Sequence, residues 1–138
     1  MESVKDDNKC FACGKNNPIG LKLDFGAEGK IVFSEVVFNE NYEGWNGIVH
    51  GGILSTALDE VMIKVANNSG LTCVTAELKV RFRKPCLTGK KYRLEGSVSD
   101  VKKNLVLTEG RIIDMEGKTV VSSIGKLFVV APDKNSVI

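Results

Sequence analysis

The spacing of apolar residues changes along the chain, and each change predicts an element. From Gly51 to about Asn68 the apolar positions are Ile53, Leu54, Ala57, Leu58, Val61, Met62, Ile63, Val65 and Ala66. They cover more than one stripe of a 3.6-residue wheel, which predicts a helix wrapped by protein. "NNSG" ends it with turn formers and a glycine. Downstream the period drops to two. "VTAELKVRFRKP" sets Ala76, Leu78, Val80 and Phe82 on one strand face and Thr75, Glu77, Lys79, Arg81 and Arg83 on the other. "KKYRLEGSVSDVKK", "NLVLTEGRIIDMEG" and "KTVVSSIGKLFVV" predict three more strands, with a hairpin turn at "MEGK". Upstream of the helix, "LKLDF" predicts a short strand, "GAEG" a turn, "KIVFSEVVF" a stronger strand and "NENYEGWNG" a loop. Two strands, one buried helix and four strands in a row make an α+β plan with an antiparallel sheet built largely of meanders. One long helix and one curved sheet form a core if the sheet wraps around the helix.

Composition narrows the class. The chain has 138 residues, which favours one domain over 1–138, with residues 1–9 polar and frayed. Hydrophobic residues are 43% and charged residues 26%, an ordinary globular mix. A net charge of +2 is too weak to imply nucleic-acid binding. No apolar run is long enough for a membrane span. "MESVKDDNKC" lacks the apolar core of a secretory signal, so the expected location is the cytoplasm. The four cysteines are too sparse for a disulfide scaffold. Cys10 and Cys13 form a C-x-x-C pair, but Cys73 and Cys86 lie 13 residues apart and supply no second pair. The four can still converge on zinc. An unliganded N-terminal turn is the preferred reading, and no metal or cofactor is expected.

The chemistry concentrates in "GIVHGGILSTALDE", residues 47–60. His50 is the single histidine, and Gly51 and Gly52 stand where the helix starts. A helix N-terminus offers free N–H groups and a partial positive charge, and glycine lets a ligand approach them closely. The plainer reading is a tight turn that needs glycine. Asp59 and Glu60 interrupt an otherwise apolar run. A buried carboxylate costs several kcal/mol unless paired, so it tends to be paired or functional. Glu60 and Lys64 are spaced for an i, i+4 pair, which leaves the chemistry to Asp59.

These residues resemble the hotdog-fold acyl-CoA thioesterases of the PaaI type. The likeness runs from about Cys10 to Val130 and includes "CFACGKNNPIGLKL", "YEGWNGIVHGG" and "HGGILSTALDE". Its specific part is H-G-G with an acid nine residues after the histidine, a threonine sixteen further on, and "FRKP" beyond. The resemblance implies a sheet wrapped around one central helix and hydrolysis of acyl-CoA to free acid and coenzyme A. It implies Asp59 as general base or nucleophile and Gly51 as the backbone N–H that polarises the thioester carbonyl. It further implies His50 as an organiser of the substrate end and Thr75 as the hydroxyl that positions water. One departure stands out: some members carry asparagine six residues before the histidine, where this chain has Gly44, and Asn41 and Asn46 are out of register.

Thioester hydrolysis needs an activated water and a stabilised oxyanion. Gly51 and Asp59 are eight residues apart, about 12 Å along a helix, so one thioester cannot use both from a single chain. An antiparallel homodimer that sets Gly51 of one chain near Asp59 of its partner resolves this, with a homotetramer left open. His50 can act as a base, but a supporting role suits it better. Coenzyme A carries phosphates, which suits the basic cluster Arg81, Arg83 and Lys84. Gly52, Trp45 and Asn46 are further substrate-side candidates; Trp45 can line the acyl pocket or simply cover the helix end. Rival readings are a hotdog hydratase or dehydratase, against which the lack of a second histidine counts, and a non-catalytic acyl-CoA-binding module.

Overall fold

The computed structural model describes residues 4–131. In chain order the elements are β1 (Gly26–Glu28), β2 (Ile31–Val37), a 3-10 turn (Glu40–Tyr42), α1 (Gly51–Asn68), β3 (Cys73–Phe82), β4 (Lys91–Lys102), β5 (Leu105–Asp114) and β6 (Thr119–Val129). The strands form one antiparallel sheet in the order β1-β2-β4-β5-β6-β3. The sheet packs around α1, which is the hotdog arrangement expected from the sequence. No helix among the described residues is long and apolar enough to cross a membrane.

Helix α1 buries Leu54, Ala57, Leu58, Val61, Met62, Val65 and Ala66. Sheet residues Tyr92, Leu94, Ile112 and Val121 complete the core around it. Three glycines make room for this close packing. Gly96 on β4 pairs with Gly110 on β5. A Cβ on Gly96 would stand 2.8 Å from the backbone carbonyl oxygen of Val61, and one on Gly125 of β6 would stand 3.0 Å from the Met62 side chain. The helix backbone therefore sits against bare sheet backbone at Gly96, and no neighbouring side chain can rotate away to relieve a clash there.

Two early elements differ from the sequence expectation. "LKLDF" is not a strand: Lys22 has φ of 52°, which breaks an extended run. The N–H groups of Leu21 and Leu23 bond the carbonyls of Phe11 and Ala12 instead of a sheet neighbour. The short strand is Gly26–Glu28, within the segment expected to turn, and the reversal falls at Gly29, with φ of +60°. The expected fraying of residues 1–9 lies partly outside the described residues; within them, the Val4 N–H bonds Ala131 and the Asn8 carbonyl accepts from Asn16. The final hairpin turns where expected. Gly117 has φ of +86°, and the Asp114 carboxylate accepts the N–H groups of Glu116 and Lys118. The bond from the Lys118 N–H is the main reason the Asp114 carboxyl titrates below its usual range.

β3 corrects a further expectation. Thr75 pairs with Leu127 and Glu77 with Lys126, so Ala76 is an extra residue forming a bulge. Strict alternation would put Thr75 on the face of Glu77, Lys79 and Arg81. The bulge turns Thr75 to the helix side, with Leu78 and Val80. β3 is also the sheet edge, with no strand on its outer side among the described residues.

Substituting Gly96→Ala should lower unfolding stability by roughly 1–3 kcal/mol, the usual range for overpacking, because the clash is with backbone. Chemical denaturation measures this, and a loss below about 0.5 kcal/mol, the ordinary scatter of surface changes, would contradict the packing account.

Candidate functional site

Helix α1 starts on a His50 cap. The Gly52 N–H donates to His50 Nδ1 at 2.9 Å. This is the side-chain capping role normally taken by Ser, Thr, Asp or Asn, and it fixes which ring nitrogen is the acceptor. The His50 carbonyl accepts the Ile53 and Leu54 N–H groups, and its own N–H bonds the Tyr42 carbonyl. The Gly51 N–H, first in the helix, has no acceptor among the described residues. It stays available at the positive end of the helix dipole. A Cβ at Gly44 would lie 3.4 Å from His50 Cα, so Gly44 adjoins the cap.

A cleft of about 520 Å³ opens over this helix start. His50, Gly51, Trp45, Arg83 and Lys84 line it together with Phe82. Trp45 is 82% exposed and Phe82 51% exposed, an unusual amount of aromatic surface left open to water. Asn46 and Gly52 are not on the cleft wall, and the Gly52 N–H is already taken by the cap. Arg81 projects into a second groove on the outer sheet face, with Lys79 and Arg111, and Arg83 borders both. Phe82 was legible from sequence only as a core-face residue. It reaches the cleft because β3 ends there, against Gly51.

Asp59 and Thr75 meet away from the cleft. The Thr75 hydroxyl donates to Asp59 Oδ1 at 2.6 Å, and this contact exists because of the β3 bulge. Asp59 is half-buried and Thr75 exposed beside the open sheet edge. Gly51 and Asp59 lie on one continuous helix, so the spacing of about 12 Å holds.

Glu60, next to Asp59, turns the other way. Its carboxylate accepts from the Cys10 thiol at 3.3 Å and from the Cys13 thiol at 3.3 Å, one oxygen to each. Lys64 Nζ lies 3.9 Å from the same carboxylate, the i, i+4 pair expected from sequence. Burial, and then the Glu60 charge, push the Cys13 thiol up to about 12. The four cysteines do not converge. Cys86 is buried in the wall of the helix-start cleft, and Cys73 borders the Cys10–Cys13 cavity without joining the cluster.

Comparison with known proteins shows the family and the fold. The thioesterase superfamily signature matches residues 46–121, and the chain belongs to that superfamily. A Saccharolobus solfataricus protein named "Putative esterase SSO2140" is 28% identical over 98 residues, 70% of this chain and 69% of that protein. The solved thioesterase superfamily protein RHA08564 superposes with a TM-score of 0.84 at 26% identity, over 94% of this chain and 70% of that one. A Streptococcus pneumoniae hypothetical thioesterase solved with coenzyme A has the same fold, with a TM-score of 0.74 at 19% identity over 80% of this chain and 88% of that one. Two further structures of the pneumococcal protein carry an Asp→Ala and a Thr→Ala substitution sixteen positions apart. The Escherichia coli PaaI protein also shares the fold, with a TM-score of 0.74 at 19% identity over 81% of this chain and 82% of that one.

Replacing His50→Ala removes the helix cap and should cost about 1 kcal/mol of stability. Denaturation midpoints test this, and an unchanged midpoint would mean that the Gly52 contact is incidental.

Proposed function

We propose that the protein hydrolyses acyl-CoA thioesters at two equal sites, each shared between the chains of a homodimer. The observation that carries the reading is the Thr75–Asp59 hydrogen bond, placed beside a sheet edge unpaired among the described residues and about 12 Å from the Gly51 N–H, which has no acceptor among them. A carboxylate held by one hydroxyl keeps lone pairs free to take a proton from water. As water attacks, the carbonyl oxygen gains negative charge, and the Gly51 N–H of the other chain meets it at the positive end of a helix. The coenzyme thiolate then leaves. Asp59 can alternatively attack the carbonyl itself, giving a mixed anhydride that water cleaves.

An open ten-residue edge such as β3 is a surface that pairs readily with another copy. Edge-to-edge pairing is also the simplest way to bring Asp59 and Thr75 of one chain toward the helix start of the next. Arg83 and Lys84 on the cleft wall suit the phosphates of coenzyme A, and Trp45 and Phe82 suit an apolar acyl or pantetheine segment. The sixteen-residue spacing of Asp59 and Thr75 equals the spacing of the two positions substituted in the pneumococcal thioesterase.

The direct test is release of free thiol from short, long and aromatic acyl-CoAs. Asp59→Asn should lower kcat by about 10²- to 10⁴-fold, the range of a general base, and Thr75→Ser should retain more activity than Thr75→Ala. Tight binding of several acyl-CoAs without cleavage would replace hydrolysis with a binding role. Hydrolysis in ¹⁸O-water under single turnover separates the two routes, since label entering Asp59 marks direct attack.

The shared site has its own test. Proline fits the first helical position and lacks the N–H, and His50, with ψ of 132°, already has the extended backbone that proline requires of its predecessor. Gly51→Pro therefore deletes the oxyanion donor with little other disturbance. After subunit exchange with Asp59→Asn protein, half of the dimers are mixed and each has one complete site, so activity should recover to about a quarter of wild type. No recovery after verified exchange would rule out a shared site.

A further inference from the structure

We propose that Cys10, Cys13 and Glu60 form a zinc site that clamps the N-terminal segment to the central helix. The three ligand atoms lie within 4.8 Å of one another, and all three residues are partly buried. A tetrahedral zinc with Zn–S near 2.3 Å and Zn–O near 2.1 Å requires S···O edges of about 3.6 Å. Both observed S···O contacts are 3.3 Å but run to different oxygens of Glu60, so admitting the ion takes a turn of the carboxylate that offers one oxygen to both sulfurs. The carboxylate presents one oxygen to each sulfur, with the two thiols side by side across it.

The backbone of the cysteine turn is built for this convergence. The Gly14 N–H bonds the Cys10 carbonyl at 2.8 Å and closes the loop that sets both sulfurs on one side. A Cβ at Gly14 would lie 2.4 Å from the Cys10 nitrogen and 2.7 Å from the Asn8 carbonyl oxygen, so the loop closes this tightly only with glycine. Charge also balances. Two thiolates and a carboxylate carry three negative charges, zinc returns two, and Lys64, 3.9 Å from Glu60, returns the third. An adjoining cavity of about 240 Å³, bordered by Asp6 and Thr72, leaves an open side for a fourth donor or water.

Sulfur with oxygen in tetrahedral array favours zinc over magnesium or calcium, which take oxygen alone. The site lies behind Asp59, on the helix face that Glu60 occupies, and its role is structural. Binding joins residues 10–14 to the middle of α1, the stretch that also carries Asp59.

The test uses the full chain, reduced and stripped of metal, titrated with zinc chloride against a chromogenic chelator and, separately, with cobalt(II) chloride. One equivalent should bind per chain, cobalt should give a thiolate charge-transfer band in the near ultraviolet, and zinc should raise Tm. Glu60→Gln should weaken binding more than about 10-fold, the lower bound for losing even an outer-shell partner. Cys13→Ser should abolish the cobalt band, and Cys73→Ser should leave it intact. Absence of the band in reduced wild-type protein overturns the proposal without reference to any variant. So does stoichiometric binding that survives in folded Cys13→Ser protein, or a Cys10–Cys13 disulfide whose reduced form takes up no metal. None of these readouts depends on thioester cleavage, so the zinc site and the proposed reaction stand or fall separately.

Discussion

The rest of the molecule depends on how closely the central helix approaches the sheet. At Gly96 the Val61 carbonyl lies where a side chain would have to be, and at Gly125 Met62 fills the equivalent space. Backbone packed against backbone leaves α1 little freedom to roll or slide. A helix held this firmly can carry polar groups at defined positions on its other faces. His50 caps its start, Asp59 faces the bulge of β3, and Glu60 faces the cysteine turn. One rigid element thus serves three separate polar clusters.

The polar clusters lie where the apolar core does not reach. Ala57, Leu58, Val61 and Met62 are fully buried, while Asp59 and Glu60 between them remain half-buried. Each acid meets a donor that a distant segment delivers: Thr75 from the edge strand, and the two thiols from the N-terminal turn. These contacts tie the edge strand and the N-terminal turn to the middle of the helix.

Much of the plan was legible in the sequence because it is local. The helix runs over the span its apolar periodicity indicated, and the four strands after it lie where their patterns and turn residues indicated. Errors fell where a single backbone angle outweighs composition. "LKLDF" has strand-like residues, yet Lys22 adopts a left-handed conformation and the segment bonds Phe11 and Ala12 instead. Thr75 is the more instructive case. Alternation gave its position the wrong face, because an extra residue at Ala76 shifts the register, and alternation by itself carries no sign of a bulge.

The sequence by itself determined the order of elements, the helix with its glycine start, the acids in its middle and the separation of Gly51 from Asp59. All of these follow from short-range periodicity and the fixed rise of a helix. Tertiary structure alone decided which groups meet. It turned Thr75 onto Asp59, brought Phe82 and Lys84 to the helix start while Arg81 went to the outer face and Arg83 bordered both, and set Cys10 and Cys13 on Glu60 some fifty residues away. Contacts at that range depend on a bulge, a tight glycine turn and the sheet's curvature acting together, and no local pattern encodes their sum.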